Sequence, residues 1–285
     1  MKFRHLIIFK YVCEEMNMTK AAKKLFMSQP SVSQAIRELE DYYQNQLFER
    51  LSHKLHLTEA GAELLRYAEH MLALNAELEE VMKSRSSIQK IKIGATVTIG
   101  TYCLPQWIAD FYDKIEDIDI SSSIKNTKDI EKSILNSTID LGLVEGEIDA
   151  PDIITKPFMQ DELVIICHDE HKLSTKKSVS KEDLKNERFL IRETGSGSRR
   201  MFLDMVKSHD ISIQVIGEFN NNEAIKNGVL SGLGLGVVSK ASISAHDSFI
   251  ELNVKDIKMT REFSLIYHKN KLLNKGIKAF MEYML

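Results

Sequence analysis

Short polar and basic side chains recur at helical spacing near the start of the chain, and their chemistry suits nucleic acid. These side chains are Ser31, Ser33, Gln34 and Arg37. Together they offer the donors and acceptors that base edges recognise, and we interpret Gln34 and Arg37 as the base readers. Gln29 and Ser31 stand at the start of the same predicted helix, where free N–H groups favour phosphate. An ordinary solvated helix face has the same composition, so the surrounding elements must decide between the two interpretations.

Three predicted helices and a hairpin position this face. The apolar pattern that predicts the first helix ends at residues 14–17. The second helix is predicted over about 19–26, with Thr19 as its N-cap. Its predicted apolar face is Ala21, Ala22, Leu25 and Phe26. The third helix spans about 30–43, with Ser28 able to cap it. The residues it buries are Val32, Ala35, Ile36 and Leu39. The alternating stretch LFERLSHKLHLT predicts a β-hairpin, which completes a winged helix-turn-helix over residues 1–57.

Charge is distributed unevenly along the chain. Residues 1–57 contain nine Lys or Arg and six Asp or Glu, whereas the whole chain has a net charge of −3. A basic head on an acidic body favours binding of a polyanion by the head. In the hairpin, Arg50, His53 and Lys54 are the residues we expect to contact DNA.

A long helix is predicted over residues 58–84, starting with the capping sequence TEAGAE. Residues spaced alternately four and three apart form a seam on it: Leu64, Ala68, Met71, Asn75, Leu78 and Met82. This is the a/d spacing of a coiled coil, which predicts that two chains pair along residues 58–88. The alternative is an amphipathic helix that docks on its own domain.

Strands and helices alternate over residues 91–285, which is typical of a largely parallel sheet covered on both faces. Predicted strands lie at 91–99, 118–124, 139–144, 163–167, 188–191, 213–216, 235–238 and 263–267. Predicted helices lie at 103–114, 128–136, 181–185, 198–207, 221–231 and 271–283. We expect two α/β lobes, with the chain crossing between them near residues 161 and 265. The overall fold class is therefore α/β.

Hydroxyl and amide residues repeatedly follow a predicted strand just before a helix. Open parallel sheets bind ligands at the carboxyl ends of their strands, and free N–H groups at helix starts attract anions. We therefore predict an anion-binding site formed by Thr96, Thr98, Thr127, Ser196 and Asn222. Thr96 and Thr98 would point to the same side of an extended segment. The alternative is that each residue merely caps a helix.

Other motifs do not carry catalytic chemistry. GLGLGV at 232–237 has the wrong spacing for a dinucleotide loop and precedes a strand instead of following one. HDEH at 168–171 lacks a third metal ligand at a plausible spacing. The three cysteines are far apart, and no G-x-S-x-G sequence occurs. We expect no catalytic activity, no cofactor and no bound metal.

Composition is that of an ordinary globular protein, with 43% hydrophobic and 28% charged residues. Residues 93–109 are the longest stretch without a charge, and they are too short and too polar to span a bilayer. The apolar patch in MKFRHLIIFK ends after four residues, which is short for a signal peptide. We therefore expect a cytoplasmic protein that does not contact membranes.

The N-terminal region contains four phrases in the order found in one family. After FKYVCEEMNMTK come AAKKL, SQPSVSQAIRELE, LFER and LTEAG. Together they closely resemble the DNA-binding module of LysR-type transcriptional regulators. Further phrases resemble the family's effector-binding region, and most closely its sulfur-metabolism branch, the CysL-like regulators: IKIGATVTIGTYCLP, STIDLGLVEG, RETGSGSRR and NNEAIKNGVLSGLGLGVVS.

The resemblance implies a homodimeric regulator, with tetramers as the expected higher assembly. Promoter DNA and a small oxyanion or carboxylate effector are its expected partners, with RNA polymerase as a further candidate. Sulfite, sulfate or a sulfur-amino-acid precursor are the first effectors to test. Two other classes stay open from the residues alone: a solute-binding protein and an α/β enzyme.

Overall fold

The computed structural model describes residues 2–51, 54–83, 88–244 and 246–285. Contacts between Cα atoms divide the chain into two compact units. The N-terminal unit comprises residues 1–86 with 135–138, and the C-terminal unit comprises residues 87–134 with 139–285. Among the described residues, no helix is long and apolar enough to cross a membrane.

The N-terminal unit contains three helices, a hairpin and a long helix. They are α1 (Phe3–Glu15), α2 (Met18–Lys24), α3 (Gln29–Tyr43), β1 (Phe48–Leu51), β2 (Lys54–Leu57) and α4 (Glu59–Lys83). β1 and β2 are antiparallel, with Phe48 opposite Leu57 and Leu51 opposite Lys54. The predicted helix-turn-helix and hairpin are therefore confirmed.

The core of this unit forms from one face of each helix. All four residues predicted on the buried face of α3 are buried, from Val32 to Leu39. The Ser28 side chain caps α3 by accepting a hydrogen bond from Ser31 N–H, as predicted.

Two predictions for α2 are wrong. Its N-cap is Asn17 rather than Thr19, because Asn17 Oδ1 accepts from the N–H groups of Thr19 and Lys20. Phe26 does not join the apolar face but is 98% exposed. The helix ends at Lys24, and Phe26 takes a left-handed φ of 52° in the turn that follows.

The first half of α4 packs on its own unit. Thr58 caps the helix by accepting from Gly61 N–H, and Ala68 is fully buried in the core that α1, α2 and α3 form. Leu64 and Met71 pack against the same core. This half of the helix therefore docks on its own domain, which was the alternative to pairing of two chains, whereas Leu78 and Met82 are exposed.

The C-terminal unit alternates strands and helices. Its strands are β3 (Gln89–Thr96), β4 (Ile118–Lys125), β5 (Leu141–Glu145), β6 (Ile153–Cys167), β7 (Arg188–Arg192), β8 (Gln214–Phe219), β9 (Leu235–Ser239), β10 (Ile250–Leu252) and β11 (Met259–His268). Its helices are α5 (Val97–Tyr102), α6 (Leu104–Tyr112), α7 (Thr127–Leu135), α8 (Gly197–Ser208), α9 (Asn222–Leu230) and α10 (Lys275–Met284).

One sheet runs through both lobes of this unit, in the order β4-β3-β5-β11-β6-β9-β7-β8. β3, β4 and β5 are parallel in the first lobe, and β7, β8 and β9 are parallel in the second. The long strands β6 and β11 are antiparallel to each other and pass through both lobes. Residue 161 lies in β6 and residue 265 in β11, and the register between these strands shifts at Phe263/Ser264.

Some predicted elements differ from the structure. The segment 181–185 forms turns instead of a helix, and the strand predicted at 163–167 is only the end of β6. The strand predicted at 91–99 ends at Thr96, because Val97 already begins α5. These differences matter for the site, since Thr98 lies in a helix and not in an extended segment.

Candidate DNA-binding surface and effector site

The exposed face of α3 carries most of the predicted DNA-binding residues. Gln29, Ser31, Gln34 and Arg37 are exposed, whereas Ser33 is half-buried. The Gln34 amide nitrogen donates to Glu38 Oε1 at 3.1 Å, one turn further along α3. Glu38 in turn lies 3.4 Å from His5 Nε2. The Arg37 side chain is thus exposed on the surface, whereas a hydrogen bond to Glu38 orients the Gln34 side chain.

The wing is attached to α3 through one carboxylate. Glu40 Oε1 accepts from the backbone N–H groups of Leu47 at 2.9 Å and Phe48 at 3.3 Å. Because Leu47 and Phe48 are buried, these N–H groups have little access to water and need that acceptor. Glu40 therefore fixes where β1 starts relative to α3.

A concave surface lies between the start of α2, the start of α3 and the wing. Gln29, Arg50 and Lys54 line it, with a cavity volume of about 400 Å³. Two cations and an amide beside a helix start make a surface suited to a phosphate group. His53, the remaining predicted wing contact, lies outside the described residues.

In the C-terminal unit, the predicted effector residues converge on a carboxylate. Thr96 Oγ1 donates to Glu145 Oε2, and Thr98 Oγ1 donates to Glu145 Oε1 at 3.0 Å. All three residues are buried, and Glu145 is only 2% exposed. Thr96 and Thr98 were expected to reach one ligand from the same side of an extended segment, and in the structure both donate to Glu145. The expectation of an extended segment is wrong, since Thr96 is the N-cap of α5 and Thr98 lies in its first turn.

The other predicted effector residues lie at the starts of α9, α7 and α8. Asn222, at the start of α9, places Nδ2 3.4 Å from Thr98 Oγ1. Thr127 begins α7, and its buried Oγ1 has no hydrogen-bond partner among the described residues. Ser196 is the N-cap of α8 but makes no side-chain cap, so the first N–H groups of α8 lack the usual acceptor.

Gly197 allows these helix starts to approach each other. A Cβ at this position would lie 2.7 Å from the Glu145 carbonyl oxygen and 3.3 Å from Thr127 Oγ1. Only a glycine permits that backbone contact. The structure therefore brings together all five predicted effector residues, which lie up to 126 positions apart along the chain.

Sequence reasoning missed the charged residues of the cluster. Arg261 Nε and Nη2 lie 2.8 and 2.7 Å from Asp161 Oδ2, and Arg261 Nη1 donates to Ser198 Oγ at 2.8 Å. Arg261 Nη1 is 3.9 Å from Glu145 Oε1. A signal existed for two of them: Glu145 ends an apolar strand at its carboxyl end, and Arg261 interrupts the pattern of β11. We call Thr96, Thr98, Glu145, Asp161, Ser198, Asn222 and Arg261 the cleft cluster.

Further charges lie beside the cleft cluster. Arg192, at the end of β7, donates through Nε and Nη2 to Glu193, while its buried Nη1 has no partner among the described residues. Tyr102 donates to Glu223 Oε1 at 2.7 Å, which links the first lobe to the second. Burial and then the bond to Glu223 raise the pKa of Tyr102 well above its ordinary value. Tyr102 is therefore a neutral donor at any physiological pH.

A separate cavity of about 490 Å³ lies next to the cleft cluster. Gly197 and Arg261 line it, together with Glu147, Arg200 and Asp204. None of the five predicted effector residues does. The described residues contain no group of three His, Cys, Asp or Glu side chains that could hold a metal ion.

Comparison with known proteins connects both units to one family. Residues 3–62 match the model of the bacterial regulatory helix-turn-helix protein, lysR family, and residues 84–285 match the LysR substrate binding domain. The chain belongs to the family of LysR-type transcriptional regulators. It is therefore a DNA-binding transcriptional regulator with a C-terminal effector-binding region, and the fold class predicted from its sequence is confirmed.

Individual relatives agree with this assignment. This LysR-type regulator is 31% identical to the HTH-type transcriptional regulator CysL of Bacillus subtilis, over 91% of this chain and 88% of that protein. It is 30% identical to the HTH-type transcriptional activator CmpR of Synechocystis sp., over 97% and 92%. These relatives are regulators and not enzymes. The resemblance to CysL is confirmed, and CmpR is similar to the same degree.

A solved structure matches the C-terminal unit. The regulatory domain of CcmR from Synechocystis PCC6803, in complex with 2-PG, has a TM-score of 0.65 and 26% identity to this chain. The match covers 68% of this LysR-type regulator and 95% of the CcmR domain.

Proposed function

We propose that this LysR-type regulator reads promoter DNA with Gln34 and Arg37 and holds phosphates with the surrounding residues. The observation that carries this is the exposed face of α3 next to the cavity lined by Gln29, Arg50 and Lys54. In this arrangement α3 can enter the major groove of a DNA duplex while the wing lies along the sugar-phosphate backbone. Ser31 and Ser33 complete the face, and His53 is a further wing contact.

Arg37→Ala and Gln34→Ala test this arrangement. Each should reduce affinity for the protein's own promoter region by about 1–3 kcal/mol and affect random DNA less, because base contacts confer discrimination. Fluorescence anisotropy at fixed salt measures both affinities. Arg188→Ala, an exposed arginine in the C-terminal unit, is the matched control. Equal losses on both DNAs would assign Arg37 and Gln34 to phosphate contacts, and no loss would reject α3 as the recognition helix.

We propose that the cleft cluster and the adjacent helix starts bind a small effector with an anionic group. Thr127 Oγ1 and the uncapped start of α8 are donors without a side-chain partner, and Gly197 brings them close together, with Ser196 beside them. The CcmR domain, similar over the same region, is in complex with 2-PG. Local N–H groups act within one helix turn, which suits a compact oxyanion or carboxylate in a unit with excess acidic residues.

Ligand-dependent melting with sulfate, sulfite and small carboxylates tests the effector site. Thr127→Val and Ser196→Ala should lower the affinity for every ligand that raises the melting temperature of the wild type. Thr175→Val, in an exposed loop, is the matched control. Unchanged affinities in Thr127→Val and Ser196→Ala would place the anion elsewhere, for example in the cavity lined by Arg200.

We also propose that two chains pair along the second half of the seam, and that dimers form tetramers. The seam residues Leu78 and Met82 are 57% and 76% exposed on α4, and Leu74, which lies beside the seam, is 46% exposed. A stretch of exposed apolar residues on one helix is stabilised by a second copy of that helix. Sedimentation equilibrium should give a dimer or tetramer at micromolar concentration. A monomer would exclude this pairing. RNA polymerase remains a proposed partner at the promoter.

A further inference from the structure

Two predicted donors of the effector site are already committed. A threonine hydroxyl has one proton, and Thr96 and Thr98 each give theirs to the Glu145 carboxylate. Neither hydroxyl can then donate to an anion. A ligand at this end of the cleft would instead contact the Glu145 carboxylate, which is buried and can accept hydrogen bonds but not donate them.

The hydrogen-bond network also fixes the orientation of Asn222. Because Thr98 Oγ1 donates to Glu145, it must accept from Asn222, so Asn222 Nδ2 faces Thr98. The other amide atom, Oδ1, is an acceptor. It is buried and has no hydrogen-bond partner among the described residues. Asn222 is 1% exposed, so this acceptor needs a donor that is brought into the site.

Charge in the cleft cluster does not balance. Two buried carboxylates, Glu145 and Asp161, face one buried guanidinium, Arg261. Arg261 contacts Asp161 twice at 2.7–2.8 Å and stays 3.9 Å from Glu145. Asp161 and Glu145 thus share a single guanidinium, so the cleft cluster carries one negative charge in excess, and burying an uncompensated charge is costly.

We propose that the effector carries an ammonium group, bound by Glu145 and Asn222 Oδ1, in addition to its anionic group. This makes it a small zwitterion of the amino-acid type. The inference rests on the proposed function, in which Thr127 and the start of α8 bind the anionic group. Thr127 Oγ1 and the Glu145 backbone both lie beside Gly197, which places the proposed anion site next to the residue that carries the carboxylate. Sulfate and sulfite carry no ammonium group, so they leave Asn222 Oδ1 without a donor and the excess negative charge without a counter-ion.

Matched pairs of ligands test this on the full-length wild-type protein. L-alanine, L-serine and L-aspartate differ from lactate, glycerate and malate only in carrying an ammonium in place of a hydroxyl. Isothermal titration at millimolar ligand, with sulfate as a further probe, should give at least one amino acid that binds roughly 10- to 100-fold more tightly than its hydroxy acid, as expected for a hydrogen bond to a charged partner. This comparison needs no variant.

A variant then assigns the preference to one residue. Glu145→Gln should remove most of the advantage of the amino acid and leave its hydroxy acid little changed. Glu147→Gln, two residues away and exposed, is the matched control and should keep the advantage.

The possible results separate the two proposals. Hydroxy acids or sulfate that bind at least as tightly as the amino acids, and lose affinity in Thr127→Val, would reject the ammonium group and retain the anion site. An ammonium preference that persists in Glu145→Gln would reject Glu145 as its partner. No binding by any probe would count against both the zwitterion and the anion site.

Discussion

Arg261 is the residue of the C-terminal unit whose removal should cost most stability. Its guanidinium contacts Asp161 through Nε and Nη2, donates to Ser198 through Nη1 and is the nearest cation to Glu145. In Arg261→Met a side chain of similar length fills the space, but Asp161 and Glu145 become buried carboxylates without a counter-ion. The effect is therefore mainly electrostatic.

The expected size of the loss follows from burial. Glu145 is 2% and Asp161 8% exposed, so water cannot replace the guanidinium. Removing one partner of a buried ion pair lowers the free energy of unfolding by about 3–5 kcal/mol. The Ser239 hydroxyl, 2.8 Å from both carboxylate oxygens of Asp161, remains as one donor and favours the lower part of that range. With a urea dependence of ~2 kcal/mol per molar, the midpoint should fall by about 1.5–2 M.

The single tryptophan of the chain makes the measurement specific. Trp107 lies in α6 and packs edge-on against Phe158 at 5.6 Å, so its fluorescence reports unfolding of the C-terminal unit. Arg188→Met is the matched control at an exposed arginine and should change stability by less than about 0.5 kcal/mol. Asp161→Asn added to Arg261→Met should recover part of the loss. If Arg261→Met behaves like the control, the cleft cluster does not depend on this cation.

Three further predictions concern other parts of the chain. Glu40→Ala should lower promoter affinity and destabilise the N-terminal unit by about 1–3 kcal/mol in thermal unfolding, because two buried N–H groups lose their acceptor. Glu40→Gln keeps an acceptor oxygen and should have a smaller effect. Equal effects of the two variants would contradict this explanation. Asn75→Leu should tighten the dimer roughly tenfold in sedimentation equilibrium, since a polar seam residue lowers stability, and an unchanged dissociation constant would exclude Asn75 from the interface. Burial, then Asp161 and Glu145, raise the pKa of Cys103 from 9.0 to about 11, which disfavours the thiolate. Its alkylation by iodoacetamide at pH 8 should be about 100-fold slower than for a free cysteine and should accelerate as pH rises toward 11, whereas labelling at the free-cysteine rate would refute the shift.

Local sequence pattern was sufficient for the recognition of α3 and the wing, although it failed for the N-cap of α2 and for Phe26. The buried face of α3 follows from apolar residues three and four positions apart, and the wing follows from alternation around Leu55 and Leu57. Both patterns depend on neighbours a few residues away in the chain, so the sequence already contains the contacts that decide them. The helix-turn-helix and the family could therefore be recognised before the structure was considered.

Long-range packing decided what the sequence could not. Residues of the cleft cluster are far apart in the chain, such as Glu145 and Arg261, and only the shared sheet brings β5 and β11 side by side. Periodicity identified where the hydroxyl groups lie but not that Thr96 and Thr98 donate to a carboxylate. The same holds for α4, where spacing predicted a seam and tertiary packing buried Ala68 within its own unit. A periodic pattern specifies which face of an element is apolar, whereas the fold of the whole chain determines which surface covers that face.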